Sequence, residues 1–307
     1  MIFVDTLQRR QGILAEGAVA ERLRRRDDVS LHATLFNTPL IYDNHGRRCL
    51  SEIYQQYRAI AVEKSLPILL FAPTWRVNEE RILEAGMSPR LNQDAVMFMR
   101  GLQTQWHTDA TPVFIGGLIG PRNDCYSPDQ ALSAIDAETF HRWQVERLIE
   151  GDGVDFILGE TFPAVSEALG LARACQHATV PYMISFVTGE DGRVLDGTSI
   201  DTAISMIDTQ TRTPPLGYLV NCVHPSFLLC IAAHGPLSTR LIGILANASS
   251  KSHDKLEGAT ELHQDSLDEW CAQMSTLHKS HGVKILGGCC GTDDRHIAGL
   301  AKGLASK

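Results

Sequence analysis

The sequence predicts a single (β/α)8 barrel domain over residues 1–307, with an irregular first β/α unit. Three observations carry this. Eight short apolar runs recur along the chain, amphipathic segments at helical spacing lie between several of them, and polar or reactive residues stand at the C-terminal ends of the runs. Strands of a parallel sheet covered on both faces read as near-continuous apolar runs with little alternation. Eight of them alternating with helices suggest a closed barrel rather than an open doubly wound sheet.

The first run is GILAEG (12–17), and the second, PILLFAPT (67–74), follows about fifty residues later. That gap is too long for a plain helical crossover. It predicts a short helix, an excursion over the barrel mouth that includes LHATLFNTPLIYDNHG, and a helix around Ser51 to Glu63. The third run is VFIGGLIG (113–120). Val145, Leu148 and Ile149 then mark one face of a helix that Gly151 to Gly153 terminates. The fourth run, FILGET (156–161), leads to Pro163, a residue suited to a first helical turn, and to Val165, Leu169 and Ala172 at spacings of four and three. YMISFV (182–187), LGYLVNCV (216–223) and LIGILAN (241–247) are the next three. Trp270, Met274 and Leu277 repeat the helical spacing before the eighth, KILGGCC (284–290).

Composition narrows the function classes. A hydrophobic fraction of 44% and a charged fraction of 21% suit a globular chain with a large core. The net charge of -8 excludes a broad nucleic-acid footprint, which needs clustered Lys and Arg. No apolar run approaches the ~18 residues needed to span a membrane, and the N-terminus lacks a signal pattern, so a cytoplasmic protein is expected. Eight cysteines are too sparse here for a disulfide scaffold. A homo-oligomer is compatible with this composition.

Active sites of such barrels form at the C-terminal ends of the strands. Those ends carry Glu16, then Glu160 and Thr161, Ser185 and Thr188, Asn221 and Cys222, Asn247, and finally Cys289 with Cys290. Strands 6 and 8 are separated by one strand, so Cys222 can meet the adjacent pair. Three thiolates about 2.3 Å from one ion make a zinc site with a fourth position open, the pattern of a catalytic rather than a structural zinc. Gly287, Gly288 and Gly291 would let the backbone aim both vicinal cysteines at one ion. A vicinal disulfide, buried small fillers, or a closed zinc site completed by His224 or His296 are the other readings of the same residues.

A zinc ion with three thiolate ligands activates water poorly but holds a substrate thiol as thiolate. A free thiol is only ~3% ionised at pH 7, so full deprotonation is worth roughly 2 kcal/mol. The expected chemistry is alkyl transfer to that sulfur.

GGCCGTDDRHI (287–297) and VNCVHP (220–225) resemble the paired-cysteine and single-cysteine motifs of the zinc-dependent homocysteine S-methyltransferases, which include the betaine- and S-methylmethionine-dependent enzymes. GETFPAVSEA (159–168), ISFVTGEDGRVLDG (184–197) and GPRNDC (120–125) are similar to that family's strand 4, strand 5 and strand 3 segments. The resemblance implies a barrel binding Zn2+ through Cys222, Cys289 and Cys290, with homocysteine as acceptor, methionine as product and Glu160 at the acceptor's amino group. It also places Glu16, Gly17, Ser185 and Asn221 among the substrate-binding residues. The N-terminal third departs from the pattern, since Glu16 stands where the family has Asp, Ala20 where glycine is common, and APTWR (72–76) where an Asn-rich turn is usual.

The chain carries no folate or cobalamin module, so the expected donor is a small onium compound, S-methylmethionine or a betaine-like molecule. Trp75, Phe186 and Tyr218 are candidates to face its methyl-bearing cation. Two alternatives stand beside this expectation. One is methylation of another thiol or a selenol; the other is a zinc-binding barrel with a decayed pocket and a regulatory role.

Overall fold

The structure, a computed structural model, describes residues 2–252 and 261–305. Eight parallel strands close in sequence order: β1 (Ile13–Ala15), β2 (Ile68–Ala72), β3 (Val113–Ile119), β4 (Phe156–Phe162), β5 (Tyr182–Val187), β6 (Tyr218–Val223), β7 (Leu241–Ala246) and β8 (Ile285–Gly288). Pairing of Ile13 with Ile285 and of Leu14 with Leu286 closes the ring. All eight predicted runs are strands.

Alternation along each strand divides the side chains. Leu69, Phe114, Phe156, Met183, Leu219 and Leu245 pack inside the barrel. Their neighbours, such as Ile68, Leu70, Ile157, Ile184 and Val220, face the helices outside. Large and small residues alternate to fill the interior: a Cβ on Gly116 would stand 2.6 Å from the Phe156 ring.

The outer layer holds an element that the sequence pattern did not show. Helix α1 (Phe3–Arg9) precedes the first strand, and Phe3 stacks on Phe156 at 4.4 Å between ring centroids and tilts against Phe114 at 5.6 Å. It therefore plugs the N-terminal mouth, the end opposite the site. Seven residues are too few for a helical period to stand out.

The first β/α unit is irregular, as expected. It contains α2 (Ala20–Arg24), a 3-10 turn (Thr38–Tyr42) and α3 (Asn44–Glu63). The last begins seven residues before the expected start, because Asp43 caps it by accepting from the Gly46 amide at 2.6 Å. The excursion between α2 and α3 crosses the C-terminal mouth, where the Thr38 hydroxyl donates to the Pro73 carbonyl.

Two helices, α4 (Glu79–Glu84) and α5 (Leu91–Trp106), follow β2. The remaining crossovers are α6 (Ala134–Leu148), α7 (Val165–Cys175), α8 (Ile200–Gln210), α9 (Pro225–Ala232), α10 (Leu267–His281) and α11 (Asp294–Ala305). Pro163 lies just before the Ala164 cap of α7 rather than in its first turn. Val165, Leu169 and Ala172 are buried on α7, and Trp270, Met274 and Leu277 on α10, as their spacing predicts. No described helix is long and apolar enough to cross a membrane.

Candidate active site

Three sulfurs converge above the barrel. Cys222 Sγ lies 3.0 Å from Cys289 Sγ, Cys289 Sγ lies 4.0 Å from Cys290 Sγ, and all three fall within 4.8 Å of one another. Cys222 gets there through a bulge. The register of β6 against β7 slips between Asn221 and Val223, and Cys222 takes a φ of 53°, rare for a residue with a Cβ. Without that slip, adjacent side chains would point to opposite faces. Cys289 and Cys290 sit in the turn just past β8, where the Thr292 hydroxyl donates to the Cys289 carbonyl and the Ala248 amide donates to that of Cys290.

The three glycines beside them have separate tasks. Only Gly291, at a φ of 80°, uses the left-handed region to turn the chain. Gly288 provides room instead, since a Cβ there would stand 2.2 Å from Thr292 Oγ1. Gly287 does the same against Ala15 and Leu245.

Behind the sulfurs, Asn221 Nδ2 donates to Cys222 Sγ at 3.3 Å. Its Oδ1 accepts from the Ser185 hydroxyl at 2.6 Å and the Thr161 amide at 3.0 Å. Ser185 and Asn221 are thus fully buried supports of the sulfur cluster and do not line the cavity above it. That cavity, of about 430 Å³, is walled by Glu16, Gly17 and Glu160 among others. Glu16 Oε2 accepts from the Phe71 amide at 2.8 Å, which fixes its carboxyl against β2. Gly17 is packed so closely that a Cβ would stand 2.8 Å from the Tyr57 hydroxyl.

The titratable groups of the site are held toward their neutral forms. Burial raises the Glu16 carboxyl well above its ordinary range, against the pull of the Phe71 amide, and Glu160 adds to the rise. Burial and the neighbouring Cys290 push Glu160 up to about 8. Cys222 is driven up by its bonds to Cys289 and Cys290, then by burial. In Cys289 the bond from Cys222 pulls down, but the bond to Cys290 and burial outweigh it. Three thiols this close cannot all ionise without a positive charge among them.

The cluster fits a metal. Tetrahedral ligands 2.3 Å from one ion stand about 3.8 Å apart, between the closer and wider sulfur separations seen here. Neither histidine considered as a fourth ligand joins them. His224 Nδ1 is 2.7 Å from the Ser226 hydroxyl and its Nε2 is 3.6 Å from Asp265, while His296 Nδ1 is 2.8 Å from Asp293. Among the described residues a fourth position is left open. A second cluster of potential ligands, Asp28, His45 and Cys49, does not compare, because both Asp28 oxygens are taken by Arg26 at 2.9 Å.

A family model described as homocysteine S-methyltransferase matches residues 13–304. The chain belongs to the homocysteine S-methyltransferase family. It is therefore of a methyltransferase class, and the resemblance in its cysteine motifs extends across the whole barrel. The chain is 27% identical to homocysteine S-methyltransferase YbgG of Bacillus subtilis, over 94% of this chain and 93% of that one. It is 22% identical to homocysteine S-methyltransferase of Escherichia coli, with 96% of each covered. The fold matches the metallated form of the homocysteine methyltransferase MmuM from Escherichia coli with a TM-score of 0.75, at 18% identity over 97% and 98% of the two chains.

Within this homocysteine S-methyltransferase family barrel, two aromatic expectations are corrected. Phe186 and Tyr218 stack on each other, 6.0 Å between centroids, in the outer core, and so face the helices and not the cavity. Trp75 does line the cavity, but the Arg76 guanidinium already lies 4.2 Å from its ring centroid.

Two residues that line the cavity and one behind it were not anticipated. Tyr126 lines the cavity beside the cluster, and charge on Cys222 together with burial holds its phenol far above the ordinary range. Arg76 lines it from the turn after β2. Glu167, fully buried, accepts from the amides of Arg122 and Leu132 and pairs with His141 at 3.2 Å. Those bonds tie down the loop after β3 that carries Tyr126. An Arg in a short turn, a Tyr in a polar loop and a Glu on a helix have no pattern in the chain that separates them from surface residues.

Proposed function

We propose that the chain transfers a methyl group from a small onium donor, S-methylmethionine or a betaine-like molecule, to the sulfur of homocysteine, using zinc held by Cys222, Cys289 and Cys290. The observation that carries this is the meeting of three sulfurs in a cavity that is also lined by the carboxyls of Glu16 and Glu160. The family supports homocysteine as acceptor, and the all-thiol donor set with an open fourth position supports zinc.

Bound zinc would hold the acceptor as a thiolate at neutral pH. The chain's own groups do the rest. Glu160 and Glu16, both poorly placed to ionise alone, gain a partner in the acceptor ammonium, and so orient its sulfur toward the cysteines. Asn221 Nδ2 donates to Cys222 Sγ and steadies its charge. Apolar side chains such as Leu35, Phe36, Phe71 and Leu245 exclude water from the cavity.

In the transfer a new S–C bond forms on homocysteine while the donor's bond to that methyl breaks, its electron pair staying on the donor heteroatom. Thiolate and onium charges both vanish, so an apolar cavity favours the transition state over the separated ions. The chain loaded with zinc should convert homocysteine to methionine with at least one donor of a sulfonium and betaine panel, followed by mass spectrometry. Failure with every donor overturns the proposal.

A further inference from the structure

The end of β4 repeats the device that turns Cys222 into the site. Phe156 and Leu158 point into the barrel and Ile157 outward, so by alternation Glu160 falls inside and Thr161 should face the helices. Thr161 instead lines the cavity beside Glu160, and Phe162 packs in the outer core. The register of β4 against β5 shifts between Gly159 and Phe162, and Thr161 takes a φ of 66°. A β-branched residue in that region is strained and persists only where its surroundings over-determine it.

Three bonds hold this bulge. The Thr161 amide donates to Asn221 Oδ1 at 3.0 Å, which joins it to the bulge at Cys222. The Thr161 hydroxyl donates to the Glu160 carbonyl. The third bond comes from a different β/α unit, the turn after β2, where APTWR departs from the family's usual pattern. There the Trp75 indole Nε1 donates to the Thr161 hydroxyl at 2.8 Å and to the Glu160 carbonyl at 3.3 Å.

Trp75 is itself fixed. The Arg76 guanidinium lies 4.2 Å from its centroid and the Phe36 ring tilts against it at 5.7 Å. Its carbonyl accepts from the Gly120 amide at 2.9 Å. Gly120 also makes room for the indole, since a Cβ there would stand 2.5 Å from Nε1. The edge of the ring thus reaches across β3 to the end of β4. The Glu160 carboxyl has no hydrogen bond of its own among the described residues, so the backbone beneath it sets its direction.

We propose that Trp75 is a positioning residue for the methyl acceptor: its indole N–H holds the bulge at Glu160 and Thr161 and so aims the Glu160 carboxyl at the acceptor ammonium. This rests on the reading of Glu160 as the partner of that ammonium. A carboxylate that is free to swing loses the alignment on which a charge-assisted bond depends, and the loss falls on the one substrate it holds.

Isothermal titration of homocysteine into the zinc-loaded protein, with no donor present, reads the acceptor alone. Trp75→Phe, which keeps an aromatic ring against Arg76 but has no N–H, should weaken homocysteine binding roughly 3- to 10-fold, the worth of a hydrogen bond. Gly120→Ala, which pushes the indole edge off β4 and leaves Trp75 in place, should do the same and guards against a folding defect in the first variant. Zinc content and donor KM should stay within about twofold of wild type in both. Unchanged homocysteine affinity in either folded variant, a loss of zinc, or a rise in donor KM in place of the acceptor effect overturns the proposal. A merely structural Trp75 would lower the urea midpoint and leave the affinity where it was. Glu160→Gln separates the two readings: unchanged homocysteine affinity there refutes the role of Glu160 and the inference with it, whereas weakened binding there beside intact binding in Trp75→Phe refutes the role of Trp75 alone.

Discussion

Cys222 owes its place to one backbone irregularity. A strand that alternates cannot present Asn221 and Cys222 to the same site, and the slip against β7 removes the conflict: Asn221 stays inside the barrel and Cys222 turns toward Cys289. The sequence showed that polar residues gather at this strand end, but bulges leave no mark in residue type. Hence Ser185 and Asn221 stood out as polar residues at strand ends and were expected to bind substrate, while their place behind the sulfurs was not legible. Phe186 was open to a parity argument, since it adjoins Ser185 and had to face the other way. Asp293, just past the cysteine turn, gives a residue-scale prediction. It caps α11 by accepting from the Arg295 amide at 3.0 Å; burial opposes its ionisation, but Arg295 and His296 hold it down to about 2. A carboxyl depressed in the folded state stabilises above its unfolded pKa of ~3.9 and loses that contribution as pH falls toward 2. Asp293→Ala should cost about 1 to 2 kcal/mol at pH 7, and urea titrations should show its gap from wild type narrowing below about pH 4.

At the scale of elements, the eight strands were legible because each is buried on both faces, and the helices with long apolar stripes followed from spacing. What escaped were short or locally capped elements. Helix α1 is too brief to show a period, and the early start of α3 depends on a single bond from Gly46 to Asp43. The role of α1 lies wholly in tertiary contact, through Phe3 against Phe114 and Phe156. Phe3→Ala should destabilise the barrel by about 3 kcal/mol, read as a lower urea midpoint, because it opens a cavity at the closed end. Metal content and turnover at temperatures where the variant is folded should stay at wild-type values. A loss of metal in the folded variant would show that the two mouths are coupled.

For the molecule as a whole, closure of the sheet explains the site. Residues 67 positions apart come within 3.0 Å because β6 and β8 flank β7 in a ring and both end at the same mouth. The first unit supplies the roof, and the turn after β2 supplies Arg76. The meeting of the three cysteines was thus legible from strand count and cysteine position, whereas the roof and the turn that carries Arg76 depended on loops with no repeating pattern. The central claim is that the three sulfurs hold one zinc ion and leave it open to the acceptor thiol. X-ray absorption at the zinc edge, with and without homocysteine, tests it most directly. The account predicts one zinc per chain with three sulfurs at about 2.3 Å and a light-atom fourth ligand, replaced by a fourth sulfur when homocysteine is added. A spectrum with histidine nitrogen in the resting shell, or one that homocysteine leaves unchanged, would contradict it.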